Sequence, residues 1–355
     1  MTYQLTKKEI IKEIIKCGKD PVYFINNFVK ISHPIEGLLS FKLYPFQEDC
    51  IKQFQDYRFN IVLKARQLGL STATSSFILW MMLFHREKTI LTVATKLSTA
   101  ANMVKKVKTM YKNLPEWMKI AKPVSDHKNG LELSNGSWVK AASTTGDSGR
   151  SEALSLLFVD EAATIEGMDE MWAAIYPTIA TGGRCIAVST PKGVGNWFYN
   201  TYTDSETGQN NFNHIKLNWD VHPDRDRSWW EENTKNLSPK DIAQEYECSF
   251  LSTSYTLIRS QVLQTLTHSQ PVESTETGYA EFLPPDKSRA YVMTVDTASG
   301  QGLDYSTFVI VDVSEMPYRV AATYANNRIT TMEFPQVIMQ YAKRYFMPWL
   351  MVEVM

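Results

Sequence analysis

The sequence has few cysteines, no long apolar run and almost no net charge. Its 355 residues include only four cysteines, Cys17, Cys50, Cys185 and Cys248. They never form the close C-x-x-C pairs that a zinc site or redox motif requires, so we expect reduced, buried thiols. The longest apolar run, residues 77–84, is far shorter than the roughly 20 residues that span a bilayer.

The charge balance limits how the protein could contact nucleic acid. The chain has 37 Lys and Arg against 38 Asp and Glu, a formal net charge of -1. Proteins that coat nucleic acid usually have a large basic excess, so any DNA contact would have to be local or shared with partners. The N-terminus is a charged amphipathic segment rather than a signal peptide. These features predict a soluble cytoplasmic protein with no membrane contact.

Short apolar runs alternate with longer helical patterns from residue 60 onward. The runs at 61–63, 89–93, 156–159 and 185–188 are compact and β-branched, which is typical of a buried, mainly parallel sheet in an α/β domain. Further strands are predicted at 290–296, 307–313, 318–324 and 349–354.

Composition changes predict the domain boundaries. Residues 1–250 form an N-terminal domain that begins with a helical subregion at 1–55. A stretch rich in Ser, Thr and Gln follows, and we assign residues 251–287 to a connector. Residues 288–355 begin a second domain.

Residues 64–72 (KARQLGLST) follow the first predicted strand and lead into an apolar helix. A strand, a tight turn and a helix N-terminus form an anion cradle, because backbone N–H groups and the helix dipole face the loop. Gln67 and Gly69 lie in this turn. The standard phosphate loop is G-x-x-x-x-G-K-[ST], and here the first Gly is missing and Leu70 replaces the Lys.

The side chains of this loop suit ATP with Mg²⁺. The hydroxyl of Ser71 or Thr72 would hold the metal, and Lys64 and Arg66 could fold over the β- and γ-phosphates. Taken alone, the segment is a weak signal, and an ordinary basic strand-to-helix turn is the better explanation.

Residues 156–162 (LLFVDEA) describe a buried strand whose tip presents two acids, at the edge where open α/β sheets bind ligands. Asp160 would hold Mg²⁺ through water. Glu161 would orient or deprotonate the attacking water. The alternative is a strand that ends in solvated acids.

Three further features fall where a nucleotide site needs them. Phe46 and Gln47 precede the loop and could stack on and bond adenine, although a helix start with a packed Phe explains them about as well without this context. The hydroxyls of Ser189 and Thr190 end the next strand, where they could sense the γ-phosphate. Arg150, in the Gly-Ser loop 146–150, could act as an arginine finger in cis or in trans, although such an arginine is usually solvated.

Together, Phe46-Gln47, ARQLGLST, LLFVDEAA, STPKG and VDTASGQGLDYSTFVIVDV resemble the large terminase subunit of tailed bacteriophages, in particular the myovirus type. The resemblance implies a P-loop NTPase-type ATPase domain with a doubly wound, mainly parallel sheet, followed by a ribonuclease H-like nuclease domain. It makes Ser189 and Thr190 the coupling motif. Family members with a cation at the start of the loop favour Lys64 or Arg66 as the replacement for the missing Lys.

The resemblance also implies a function, namely ATP-driven translocation of double-stranded DNA into a procapsid and cleavage of concatemeric DNA. The implied partners are DNA, the portal protein, the small terminase subunit and further copies in a ring, on the procapsid portal in the cytoplasm of the infected bacterial host. Two alternatives stay open. One is a helicase-like or DNA-repair ATPase, and the other is a catalytically silent assembly protein, which the missing loop Lys motivates.

Asp296, Asp304 and Glu353 stand at or near strand ends in the second domain. Carboxylates gathered from strand tips are what two-metal phosphodiester cleavage requires, and Mg²⁺ or Mn²⁺ suits such all-oxygen sites. By resemblance, Asp296 and Glu353 match metal ligands and Asp304 matches a nearby acid. A solvated turn acid is the alternative for Asp304.

A basic run could track a DNA backbone, although a solvated helix face explains it equally well. Its members are Lys96, Lys105, Lys106, Lys108, Lys112, Lys119, Lys122 and Lys128, and the acids in the same stretch are Glu116 and Asp126.

The resemblance predicts an incomplete nuclease domain, because the family uses a further Asp and more secondary structure downstream of Glu353. We therefore expect this polypeptide to cut DNA weakly or not at all. Plasmid cleavage with Mg²⁺ or Mn²⁺ measures this. Robust cleavage that Asp296→Ala abolishes would contradict the expectation.

Overall fold

A computed structural model describes residues 6–33, 35–142, 153–250, 269–300, 302 and 304–353. The chain divides into two compact units, Met1–Leu263 and Gln264–Met355. Across the described ranges, none of the helices has the length and apolar character needed to cross a membrane.

The first unit begins with helices and one small hairpin: α1 (Lys7–Lys19), α2 (Pro21–Phe28), β1 (Lys30–His33), β2 (Gly37–Ser40) and α3 (Pro45–Asp56). Thr6 starts α1 through a capping box, since its hydroxyl accepts the N–H of Glu9 and its own N–H bonds the Glu9 carboxylate at 2.7 Å. The hairpin is a departure from the predicted helical subregion. Its strands are short and mostly exposed, so no apolar periodicity marks them.

The larger sheet and its helices follow: β3 (Phe59–Lys64), α4 (Leu70–Phe84), β4 (Thr89–Val93), α5 (Leu97–Lys112), β5 (Pro123–His127), β6 (Gly130–Leu133), β7 (Trp138–Ala142), β8 (Leu156–Asp160), α6 (Met168–Ala180), β9 (Arg184–Ser189), α7 (Trp197–Glu206), β10 (Asn213–Leu217), α8 (Arg227–Thr234) and α9 (Pro239–Glu245). Short 3-10 helices lie at Glu116–Met118, Ala162–Thr164 and Trp219–Val221.

The eight strands are ordered β10-β3-β9-β8-β4-β7-β6-β5. Neighbours from β10 through β7 pair in parallel, whereas β6 and β5 are antiparallel additions at one edge. The four strands predicted between residues 61 and 188 are all present in this sheet. β8 is buried along its whole length because it lies in the middle of the sheet. The prediction of an α/β fold with a mainly parallel sheet is confirmed.

The register brings the carboxyl ends of the central strands to one level. Leu63 of β3 pairs with Ser189 of β9, and Val188 pairs with Asp160 of β8. Val159 in turn pairs with Val93 at the end of β4. Residues that directly follow these strands therefore share one edge of the sheet.

The second unit has a six-stranded sheet with one helix, α10 (Phe334–Arg344). Its strands are β11 (Glu273–Ser274), β12 (Tyr279–Glu281), β13 (Tyr291–Asp296), β14 (Ser306–Asp312), β15 (Arg319–Asn326) and β16 (Trp349–Val352), in the order β11-β12-β15-β14-β13-β16. β13, β14 and β15 form an antiparallel meander, and β16 pairs in parallel with β13.

Two of these strands correct the predicted connector. Residues 273–281 fall inside the range 251–287 but belong to the second sheet. Glu281 shows why, because its buried carboxylate accepts bonds from the Tyr279 hydroxyl at 2.7 Å and from Arg344 Nε at 2.9 Å. These bonds tie β12 to α10, which a reading of composition could not detect.

Candidate active site

The loop between β3 and α4 turns through two left-handed residues, Gln67 with φ 59° and Gly69 with φ 70°. A Cβ atom at Gly69 would lie 2.8 Å from Nε2 of Gln47. Gly69 therefore serves two purposes, since it permits the left-handed turn and leaves room for the Gln47 amide.

The same loop offers a run of donors. Among the described residues, none accepts a hydrogen bond from the backbone N–H groups of residues 67–71. These groups lie at the start of α4, where the helix dipole also favours negative charge. The loop thus has the donors of a phosphate site although it departs from the standard motif.

Ser71 joins this loop to the tip of β8. Its Oγ donates to Oδ2 of Asp160 at 2.7 Å. Asp160 is only 7% exposed, so its carboxylate is held close to the loop. A hydroxyl oxygen beside a carboxylate is the oxygen donor set that Mg²⁺ prefers next to phosphates, so the two residues fit the expected metal.

Glu161 follows directly and is held in an unusual conformation. It is exposed, and its φ of 56° is left-handed, which costs a non-glycine residue about 1–2 kcal/mol. Its N–H donates to Oδ1 of Asp160 at 3.1 Å, and Thr95 Oγ1 donates to its Oε2 at 3.1 Å. These bonds hold the carboxylate outside the strand tip, facing solvent, as a water-activating base requires.

The two predicted loop cations have different surroundings. Burial lowers the pKa of Lys64, and the negative charges of Asp160 and Glu161 oppose that shift. Arg66 is 65% exposed and forms a salt bridge with Glu245 at 3.5 Å.

A third cation reaches the loop from α5. Lys106 Nζ donates to Thr72 Oγ1 at 3.0 Å. Burial lowers the pKa of Lys106, and Asp160 opposes the shift. In the sequence Lys106 is one of eight lysines in a basic run. The feature of the sequence that could have distinguished Lys106 from the other lysines is its position on α5 between the buried residues Met103 and Met110.

Arg225 makes a second contact that the sequence pattern does not predict, and this contact fixes the first turn of the loop. The guanidinium of Arg225 donates to the carbonyl oxygens of Arg66 at 3.2 Å and of Gln67 at 2.9 Å. It also lies over the Trp229 ring, 4.4 Å from the centroid. The Arg66 N–H in turn donates to the Glu245 carbonyl at 2.7 Å.

Gln47 and Phe46 meet the loop from the other side. Gln47 is buried, its Nε2 donates to the Leu68 carbonyl at 2.8 Å, and its Oε1 accepts the N–H of Tyr44 at 3.1 Å. Phe46 is buried and stacks on Tyr44, with the ring planes 5° apart. Gln47 therefore supports the loop in this structure, and adenine contact by the pair stays a prediction.

Ser189 connects β9 to the segment after Glu161. Its Oγ accepts the N–H of Ala163 at 3.1 Å, and the side chain is buried. Thr190 follows at the same edge of the sheet and is half-buried. Arg150, the predicted arginine finger, lies outside the described residues.

Several lysines of the basic run already have partners. Lys108 pairs with Asp126 at 2.6 Å, and both Lys119 and Lys122 pair with Glu116. Those that stay exposed are Lys96, Lys105, Lys112, Lys122 and Lys128. The basic surface is thus smaller than the count of eight suggests.

In the second unit, Asp296 and Glu353 end neighbouring parallel strands. The Glu353 N–H donates to the Val295 carbonyl at 2.9 Å, one residue before Asp296. Asp304 is exposed on the segment between β13 and β14. Among the described residues, no group of three or more His, Cys, Asp or Glu side chains is placed to hold a metal ion. The structure therefore does not gather the three acids, and for Asp304 it agrees with a solvated turn acid.

The sequence matches a known family over residues 61–265, more than half of the chain. The family is described as the N-terminal part of the terminase large subunit, T4likevirus-type. The matched range contains the loop, the Asp160-Glu161 tip and the end of β9.

Solved structures of similar fold come from phage terminases. The ATPase domain of the Thermus phage P74-26 large terminase is 23% identical, with a TM-score of 0.52 over 60% of this chain and 95% of that one. The HK97 bacteriophage large terminase is 18% identical, with a TM-score of 0.52 over 95% and 74%. A large terminase from another thermophilic bacteriophage is 14% identical, with a TM-score of 0.50 over 88% and 78%. Identities this low show the fold alone.

The Arg225 contacts predict a positioning effect on nucleotide binding. Arg225→Gln should weaken binding of a fluorescent ATP analogue about 10-fold, because two charge-assisted bonds to the loop carbonyls are lost. Arg227→Gln is the matched control, since Arg227 is 87% exposed and pairs with Glu231 in its own helix. Equal affinities for the two variants would contradict the role of Arg225.

Proposed function

Because the chain belongs to the T4likevirus-type terminase large subunit family, we propose that it is the ATPase of a motor that packages double-stranded DNA. The observation that carries the proposal is the 2.7 Å bond between Ser71 and Asp160, which joins a phosphate loop to an acidic strand tip. The loop and the tip of β8 are far apart in the sequence, and both are needed to hold a nucleoside triphosphate with its metal.

ATP would lie along the start of α4. The N–H groups of residues 67–71 would bind phosphate oxygens, and Lys64 and Arg66 would add positive charge at the start of the loop. The adenine would lie on the side of Phe46 and Gln47. Ser71 and Asp160 would hold Mg²⁺, which supplies charge that offsets the β- and γ-phosphate oxygens when it is bound.

Glu161 would orient the attacking water and accept its proton. Thr95 and the Asp160 carboxylate hold Glu161 in place before ATP arrives, so little reorganisation is needed. Ser189 and Thr190, beside the segment that follows Glu161, would respond to loss of the γ-phosphate and couple it to DNA movement. Arg150 would complete the charge around the γ-phosphate, in cis or in trans.

The proposed partners are double-stranded DNA, the portal protein, the small terminase subunit and further copies of the chain in a ring. A metal-dependent nuclease that cuts concatemeric DNA is proposed for the second unit, with Asp296 and Glu353 as the acids that the strand pairing supports.

Replacement of Glu161 tests the hydrolysis step. Glu161→Gln should lower kcat for ATP by about 10²- to 10⁴-fold and leave ATP affinity nearly unchanged, because the general base is lost while the phosphate donors stay. Glu166→Gln is the matched control on an exposed residue five positions later. Steady-state phosphate release and binding of a labelled ATP analogue provide the two measurements.

Phosphate release and a strand-separation assay separate the alternatives. Equal, background-level phosphate release by the wild type and Glu161→Gln would support the silent assembly protein that the apolar Leu70 motivates. A helicase-like ATPase would instead separate the strands of a forked duplex in the presence of ATP, which a double-stranded DNA translocase does not do.

The partly neutralised basic run predicts weak DNA binding by a single chain. In filter binding at physiological salt, the monomer should retain little duplex DNA. At low salt, replacement of Lys105, Lys112 and Lys128 by Gln should reduce the slope of log K against log salt by about 2–3. The control replaces three exposed lysines of α1 by Gln, which changes the net charge by the same amount; they are Lys7, Lys8 and Lys12. Tight monomer binding at physiological salt would contradict the prediction.

A further inference from the structure

The first turn of α4 lacks the lysine that a phosphate loop normally carries after its last glycine. Leu70 occupies that position, and it is 1% exposed and part of the hydrophobic core. The positive charge that would neutralise the phosphates must therefore come from elsewhere.

We propose that Lys106 of α5 binds the phosphate tail of ATP in place of the missing loop lysine. The proposal rests on the proposed ATPase function and names a phosphate ligand for that same site.

The position of the ammonium group carries this inference. Lys106 Nζ lies 3.0 Å from Oγ1 of Thr72, the second hydroxyl after Gly69. Thr72 belongs to the first turn of α4, next to Ser71 and to the loop N–H groups for which no described residue is an acceptor. An ammonium within hydrogen-bond distance of this turn can reach an oxygen of a phosphate bound there while it keeps its place on α5.

The helix that carries Lys106 is well anchored. The neighbours Met103, Val107 and Met110 are buried in the core of the first unit, and α5 packs on α4. Lys106 is itself part-buried between these residues. A lysine on a rigid, packed helix loses less conformational freedom on binding than one on an exposed loop.

Lys64 and Arg66, the two cations at the start of the loop, have surroundings that differ from those of Lys106. Arg66 forms a salt bridge with Glu245. The charge of Asp160 acts on both Lys64 and Lys106, but of these two lysines it is Lys106 that donates to a side chain of the first turn of α4. The hydrogen-bond partner of Lys106 is a neutral hydroxyl, which a phosphate oxygen can replace without breaking an ion pair.

Affinity for ATP in Mg²⁺, measured on the full chain, tests the proposal. Lys106→Gln should weaken ATP binding about 10- to 100-fold, as expected for loss of a charge-assisted contact. Lys105→Gln, on the adjacent exposed position of α5, is the matched control and should bind like the wild type. Lys106→Arg should retain most of the affinity because the positive charge stays.

A rescue variant distinguishes phosphate binding from a structural role. The double variant Leu70→Lys with Lys106→Gln returns a lysine to the loop and should recover affinity relative to Lys106→Gln alone. Thermal unfolding of each variant identifies those that fail to fold, and if the buried Leu70→Lys change prevents folding, the comparison of Lys106→Arg with Lys106→Gln decides.

The outcomes also separate this inference from the ATPase proposal. If the wild type binds ATP and folded Lys106→Gln binds it equally well, Lys106 is not the phosphate ligand and the ATPase proposal stands. If Lys106→Gln lowers thermal stability without lowering ATP affinity, its role is structural and the inference is again overturned. If the wild type does not bind ATP at millimolar concentration, both proposals fail.

Discussion

The register of the central parallel strands is the constraint on which the site depends. Leu63 pairs with Ser189 and Val188 with Asp160, so β3, β9 and β8 end at one level. A shift of β8 by one residue would move its side chains to the opposite face of the sheet and break the bond between Ser71 and Asp160. Apolar burial along these strands therefore sets the geometry of the polar groups beyond their ends.

The loop between β3 and α4, the proposed phosphate loop, is held in shape by contacts from other segments. Gln47 bonds the Leu68 carbonyl from the N-terminal side, and Arg225 and Glu245 bond the backbone of residues 66–67 from the C-terminal side. These contacts occupy loop carbonyls and leave the N–H groups of residues 67–71 for an anion. The segments around Gln47 and Arg225 thus support the proposed phosphate site through the loop backbone.

The sequence predicts the local parts of this arrangement because local patterns determine them. Compact β-branched runs identify β3, β4, β8 and β9, and the order of turn, hydroxyls and paired acids identifies Ser71, Asp160 and Glu161. The contacts of Lys106 and Arg225 join residues 34 and about 160 positions apart, and no periodicity encodes such pairs. The strands β5, β6 and β10 were also beyond prediction, since their exposed residues interrupt any apolar run.

A phosphate site needs positive charge at a point in space, and any element that meets the loop can supply it. The loop lysine of the standard motif is one solution, in which a single segment provides both the N–H donors and the charge. In this chain Leu70 adds its side chain to the core instead, and α5 meets the loop at Thr72. Charge supplied from α5 makes ATP binding depend on the packing of α5 against α4. A change in that packing, for example when the exposed lysines of α5 bind DNA, would then change the distance between the Lys106 ammonium and the phosphates.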